Sequence, residues 1–300
     1  MAEPRAGLKA LQGKKQDTKT GHPFKMGRNR SVATGLRLKF RDYLTKGLPT
    51  PPATFDYSPD ASSSIANIYD NDTLGDCVIA CLGHEVGVVT GNADGGSPFM
   101  FTNQQIINLY SAIGGYVPGN PATDQGCDIQ TMLNYWVKNG APSGSNKILG
   151  WIAVDPTDMN QVRVALYLFE TLIFGIELPD AWVNNMPQAS GFTWDVAGAP
   201  DPSNGHCICG VSASPQGIGI ATWGMTGTIT NAAVQQYAGS ADGGELYTVI
   251  TQEMISKATQ KAPNGFDFAA LVADFDSLGG NVVQPPSEQP DWPNIFAAKA

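Results

Sequence analysis

The stretch YDNDTLGDCVIACLGH, Tyr69–His84, runs a Gly-Asp-Cys turn straight into an apolar segment holding a second cysteine and a histidine. Val78, Ile79, Leu82, Val86 and Val89 recur at helical spacing, so the segment from Cys77 to Val89 reads as a buried helix, with Asp72, Thr73 and Asp76 as caps ahead of it. Cys77 then stands at a helix start, where the backbone dipole favours a thiolate. The same cysteine has two other readings. It is a small buried hydrophobe, or it joins Cys81 and His84, at i+4 and i+7, in a metal site. Structural zinc takes knuckle spacings rather than three ligands along one helix, which argues against the metal.

Outward from this helix, the chain of 300 residues has 42% hydrophobic and 15% charged residues, the balance of a globular protein. Its net charge of −9 is unevenly spread. Residues 1–47 carry twelve Lys and Arg against three acids, and the remainder carries six against twenty-four. A basic arm, residues 1–47, is thus joined to an acidic body. Five cysteines is an odd number. With no apolar segment near Met1 and no apolar run of ~18 residues, a signal peptide and a membrane span are not expected. Free thiols in a reducing cytoplasmic setting fit this pattern.

Three segments divide the chain: the arm, a body over 48–256 opened by the proline-rich GLPTPPATFDYSP, and a C-terminal extension over 257–300 with a proline-containing tail. A short helix is expected around Ala33–Leu44. In the body, helices come first. FTNQQIINLYSAI has Thr102 or Asn103 as N-cap, and the helix after DQGCD begins at Asp128 and closes at Gly140. Beyond Gly150 the texture turns to strands, KILGWIAV, TLIFGIEL, HCICGVSAS, GIGIATWG and GELYTVIT, interrupted by one helix capped by Asp158. Helices followed by strands indicate an α+β body with a helical lobe and a sheet lobe.

A thiol nucleophile needs an imidazole from elsewhere in the chain. His22 lies in the arm and His84 on the same helix as Cys77, which leaves His206 at the mouth of the strand GHCICGVSA. At this point the chain resembles the papain-like cysteine peptidases. LGDCVIAC is similar to their nucleophile segment, NGHCICGV to their Gly-His strand, ATWG to their Asn-Ser-Trp-Gly segment, and DQGCD to their Gly-Cys segment. The likeness covers about Leu48 to Ile255. It implies a two-lobed α+β fold, with a central Cys-bearing helix against an antiparallel sheet or barrel, and a thiol hydrolase of peptide or amide bonds. Cys77 would be the nucleophile and His206 the base, and no metal or organic cofactor is implied. Asn71, six residues before Cys77, stands where the family has its oxyanion-hole glutamine. In place of the orienting asparagine, the ATWG alignment gives Ala221, and the family's sixteen-residue step from His206 gives Thr222.

Trp223 is expected beside His206, as core or as a shield. The family's pro-segments carry a long patterned helical region that residues 1–47 lack. The arm has three readings, a solvated tail, a pro-segment covering the cleft, or an anchor on an acidic protein or nucleic-acid surface, and the missing helical pattern favours the tail or the anchor. A rival to the hydrolase is a non-catalytic papain-fold scaffold, such as a virion component. Bacterial and phage sequences resemble the NDxxGDC and TWG pattern, and a cytoplasmic or virion location follows.

Overall fold

The β-branched, glycine-punctuated second half of the chain builds one open sheet, in a computed structural model that describes residues 24–32, 38–45, 50–93, 95–261 and 266–277. Its strands are β4 (Gly150–Ala153), β5 (Leu172–Pro179), β6 (Phe192–Trp194), β7 (Pro200–Ser214), β8 (Gly217–Thr222), β9 (Met225–Thr230) and β10 (Glu245–Ile250), with β2 (Phe55–Asp56) on one side. The order is β4-β10-β5-β7-β8-β9-β6, with β2 paired to β7. Pairing is antiparallel except between β6 and β9. The sheet does not close into a barrel. All eight positions of β5 are buried, as a strand covered on both faces requires.

The helical lobe is built on α1 (Cys77–Ala93), with α2 (Asn103–Gly114) and α3 (Ile129–Asn139) against it. α2 starts in a full capping box between Thr102 and Gln105. Asp128 caps α3, which Gly140 ends. α4 (Met159–Phe169), capped by Asp158, packs beneath β10 and β7. α1 is buried on every side from Cys77 through Val88, because one flank meets the other helices and another lies on β7. The seam between the lobes is therefore α1 against β7, the two elements that carry Cys77 and His206.

Charge does not mark the edge of packing. Phe24, Phe40 and Tyr43, the three aromatics of the basic stretch, are buried in the core of the sheet lobe. Leu38 O accepts from Ala153 N at 2.9 Å, and Tyr43 O accepts from Asp267 N at 2.7 Å. The helix expected around Ala33–Leu44 is represented by a 3₁₀ turn at Phe40–Tyr43, and residues 33–37 lie outside the described ones. The described residues 24–32 and 38–45 are thus packed parts of the body and not a free tail, because their aromatic side chains gain more from burial than their charges gain from water. The C-terminal extension contributes as well. α5 (Gln252–Lys261) packs on α4, and α6 (Phe268–Ser277) packs on the 3₁₀ turn.

Candidate active site

α1 begins at Cys77. The Asp76 carbonyl accepts from Ile79 N and Ala80 N, which leaves the first helical amides at the Cys77 end of the helix. Cys77 is 1% exposed, with the Cys207 and Gly27 backbones near enough to act on its thiol. Burial, reinforced by neighbouring Cys207, pushes the thiol well up from its ordinary value, so it is protonated here. An exposed, pre-formed thiolate, which its helix-start position suggests, is not what this arrangement holds.

His206 lies on β7 opposite Ile176 of β5 and is fully buried. Its Nε2 pairs with Thr222 Oγ1 at 2.7 Å, while its Nδ1 is buried without a hydrogen-bond partner among the described residues. Burial lowers the imidazole to about 3, so the ring is neutral. Thr222, the last residue of β8, is the one brought to the ring. Ala221 pairs with Cys209 further down the sheet.

The ring is framed by aromatics. Trp223 and Gly224 form a two-residue hairpin loop between β8 and β9, and both have positive φ, +50° and +72°. Such a turn matches the twist of the flanking strands, and it is an unusual one for tryptophan to occupy. It lays the indole on His206, with centroids 4.3 Å apart and planes at 19°. Phe24 stacks on the other indole face at 4.6 Å and 7°.

Asn71 is buried, with its side-chain amide donating to Asp76 Oδ1 at 3.2 Å and, more distantly, to Leu74 O at 3.4 Å. Asp76 is itself buried, which raises its carboxyl well above the usual range. The Asn71 amide is therefore already engaged inside its own loop. His84 is a core residue: its Nε2 meets Asn67 O at 2.9 Å, its ring packs on Tyr69, and burial lowers it to about 4. All five cysteines are free and buried, and the described residues hold no group of three or more His, Cys, Asp or Glu side chains arranged for a metal ion.

The seam is not empty. Residues Phe24–Asn29 cross it as a strap. β1 (Arg28–Asn29) pairs in parallel with β3 (Cys127–Asp128), and Gly27 O accepts from Cys127 N at 3.0 Å. A Cβ on Gly27 would collide with the Gly75 carbonyl, and one on Gly205 with the Arg28 carbonyl. The strap backbone thus runs between the residues flanking Cys77 on one wall and His206 on the other. Three cations fasten it: Lys25 to Asp124, Arg28 to Glu245 at 2.5 Å, and Arg30 to Glu177. Asp124 also accepts from Gly75 N at 3.0 Å, which ties the strap's anchor to the turn ahead of Cys77. The burial of Cys77 matches the small-hydrophobe reading of the sequence and not the activated-thiolate one, and the strap's path through the seam has no counterpart in the favoured tail and anchor readings of the arm. The signal for the strap was the pairing of an isolated Phe24 with a glycine, Gly27, inside a polar stretch.

This architecture, a cysteine-bearing helix facing a histidine strand across a two-lobed seam, is the papain-like cysteine protease fold. Xylellain, a cysteine protease from Xylella fastidiosa, superposes with a TM-score of 0.56 at 16% identity, over 77% of this chain and 97% of that one. Digestive procathepsin L2 from Tenebrio molitor gives 0.55 at 12% identity, over 78% and 80%. Procathepsin B S9 from Trypanosoma congolense gives 0.52 at 11%, over 76% and 87%. At these identities the likeness concerns the fold. No family model matches the sequence, and no curated protein matches it. Among the described residues, no helix is long and apolar enough to cross a membrane.

Proposed function

We propose that the chain is a latent thiol hydrolase acting on peptide or amide bonds, held closed by its own residues 24–30. The observation that carries this reading is the His206 ring, fixed at Nε2 by Thr222 and unpartnered at Nδ1, next in sequence to the Cys207 backbone that serves the Cys77 thiol. With the strap displaced, water reaches both groups. Loss of burial then moves the thiol down and the imidazole up, toward a thiolate and imidazolium pair. The Cys77 sulfur attacks the substrate carbonyl carbon, and the oxyanion meets the amides at the start of α1. His206 returns its proton to the leaving amine. It then takes one from water, whose oxygen attacks the thioester and releases the acid and the thiol. Thr222 holds the ring in one orientation, and Trp223 keeps water from that contact. Asn71 reaches the oxyanion only after its amide leaves Asp76.

That engaged Asn71 is also what favours the second reading, a papain-fold scaffold without catalysis, since a committed amide stabilises no oxyanion. An external acidic partner is no longer needed to account for Lys25, Arg28 and Arg30, which are matched by Asp124, Glu245 and Glu177 of the same chain. The test is hydrolysis of a fluorogenic peptide-amide library by full-length protein carrying Phe24→Ala, with Phe24→Ala/Cys77→Ala as control. Turnover that vanishes in the control supports the hydrolase, and no turnover in either protein supports the scaffold.

A further inference from the structure

The strap does more than cover the seam, because one of its side chains fills a pocket built for a particular group. The Arg28 side chain is 1% exposed. Its Nε and Nη2 donate to one Glu245 oxygen at 3.1 and 2.5 Å, and its Nη1 donates to Gly243 O at 2.8 Å. The other Glu245 oxygen accepts from Tyr247 OH at 2.7 Å, and Gln130 Nε2 donates to that phenol oxygen at 2.7 Å. The carboxylate is thereby aimed before any cation arrives. Room for the guanidinium comes from Gly175 on β5, where a Cβ would stand 2.7 Å from Arg28 Nε, Glu245 Cγ and Ile129 Cδ1. The walls belong to the body, whereas the occupant belongs to a strap whose preceding residue, Gly27, packs against the Gly75 carbonyl two residues before Cys77.

We infer that this pocket is a guanidinium-selective subsite of the cleft, and that with the strap out it takes the Arg side chain of a peptide lying in the strap's place. The inference rests on the reading that the seam binds peptides. With Arg28 in place the Glu245 side chain is 8% exposed, and vacating the pocket leaves a carboxylate, already oriented by Tyr247, with no cation beside it. Both the carboxylate and the Gly243 carbonyl must be met at once. A planar fork with several donors does this, and an ammonium, a single point charge, does it less well. An apolar side chain leaves both unpaired. Arginine should therefore rank above lysine, and lysine above leucine.

The test uses full-length Arg28→Ala, which vacates the pocket without altering its walls. Three blocked peptides copying residues 25–30 are titrated by calorimetry at low salt, carrying Arg, Lys or Leu at the position of Arg28. The Arg peptide should bind about 30-fold or more tighter than the Leu peptide, with Lys between, and adding Glu245→Gln should erase the ranking. Equal affinities, no binding of the Arg peptide at millimolar concentration, or a preference that survives Glu245→Gln would overturn the inference. If Arg28→Ala does not fold, Arg28→Lys serves in its place, and the Arg peptide should displace its strap while the Leu peptide does not. Binding is read apart from chemistry. Selective binding without cleavage sinks the hydrolase and keeps the pocket, and cleavage without arginine preference does the reverse.

Discussion

Replacing Phe24 by alanine should open the strap without unfolding the body. The ring is fully buried and stacked on Trp223, so its removal takes away both apolar burial and an aromatic pair. Phe-to-Ala changes at such sites cost about 3–5 kcal/mol. Because the body's two cores are otherwise intact, most of that loss should fall on the local equilibrium between closed and open strap. At about 1.4 kcal/mol per decade, the open population rises by roughly 100-fold to a few thousand-fold. Cys77 and Cys127 both border the strap, since Gly27 packs on the Gly75 carbonyl two residues before Cys77 and accepts from Cys127 N, whereas Cys209 is held against the buried Glu85. Iodoacetamide labelling followed by peptide mapping should thus show Cys77 modified at least ~100 times faster than in the wild type, while Cys209 keeps its protection. All five thiols gaining reactivity in step would refute the reasoning, since the strap would then open only with the whole domain.

Four further outcomes follow from the same geometry. Gly27→Ala, which drives a Cβ into the Gly75 carbonyl, should reproduce the selective labelling of Cys77 although it removes no side chain. Arg30→Ala should raise that labelling by about tenfold or more, because it leaves the Glu177 carboxylate, 2% exposed at its side chain, without the guanidinium that both its oxygens accept from. Thr222→Val leaves His206 Nε2 buried and unpaired; it should lower stability by about 1–3 kcal/mol in urea melts and cut turnover of the strap-open protein, with Thr222→Asn restoring it. Glu85 is raised by burial to about 7, with the Cys209 thiol donating to it at 2.9 Å. Its proton is held more tightly in the folded state, so that contribution is full below the unfolded value of 4.5 and is lost as pH rises through 7, up to about 3 kcal/mol. Relative to Glu85→Gln, the wild type should match at pH 4.5 and fall behind by pH 8. His84 and His206 work in the opposite sense, losing stability as pH falls below 6.5, but they do so in both proteins and cancel from the comparison.

Much of the fold was legible because local signals and packing agree. The caps at Thr102, Asp128 and Asp158 sit where hydroxyl and carboxylate side chains can receive helix amides, and all three are helix starts. β5, β7, β8 and β10 announce themselves by β-branched runs between glycines. β9, MTGTIT, carries two buried apolar residues, Met225 and Ile229, set four apart with half-buried threonine and glycine between them, so its place in the sheet comes from β8 beside it and not from its own pattern. At the site, a sixteen-residue step was enough to reach Thr222 beside the ring, because a hairpin with a two-residue loop fixes the register between β7, β8 and the turn. The strap was illegible for the opposite reason. Its partners lie about 100 to 217 residues away, as with Lys25 and Asp124 or Arg28 and Glu245, and a stretch dominated by charge looks solvated until its acidic counterparts are known.

An opened strap lets Cys77 and His206 act as one acid–base pair, and the pH profile of Cys77 alkylation in Phe24→Ala, set beside Phe24→Ala/His206→Ala, reads that pairing. The first protein should keep reacting on a plateau down to about pH 5, as a thiolate held by an imidazolium does. The second should lose reactivity with falling pH like an ordinary thiol, tenfold per unit, so that the two differ by roughly 100-fold at pH 6. Superimposable profiles would mean that the two groups do not share a proton, leaving Cys77 a buried thiol at the start of a helix and His206 a core residue beside Thr222.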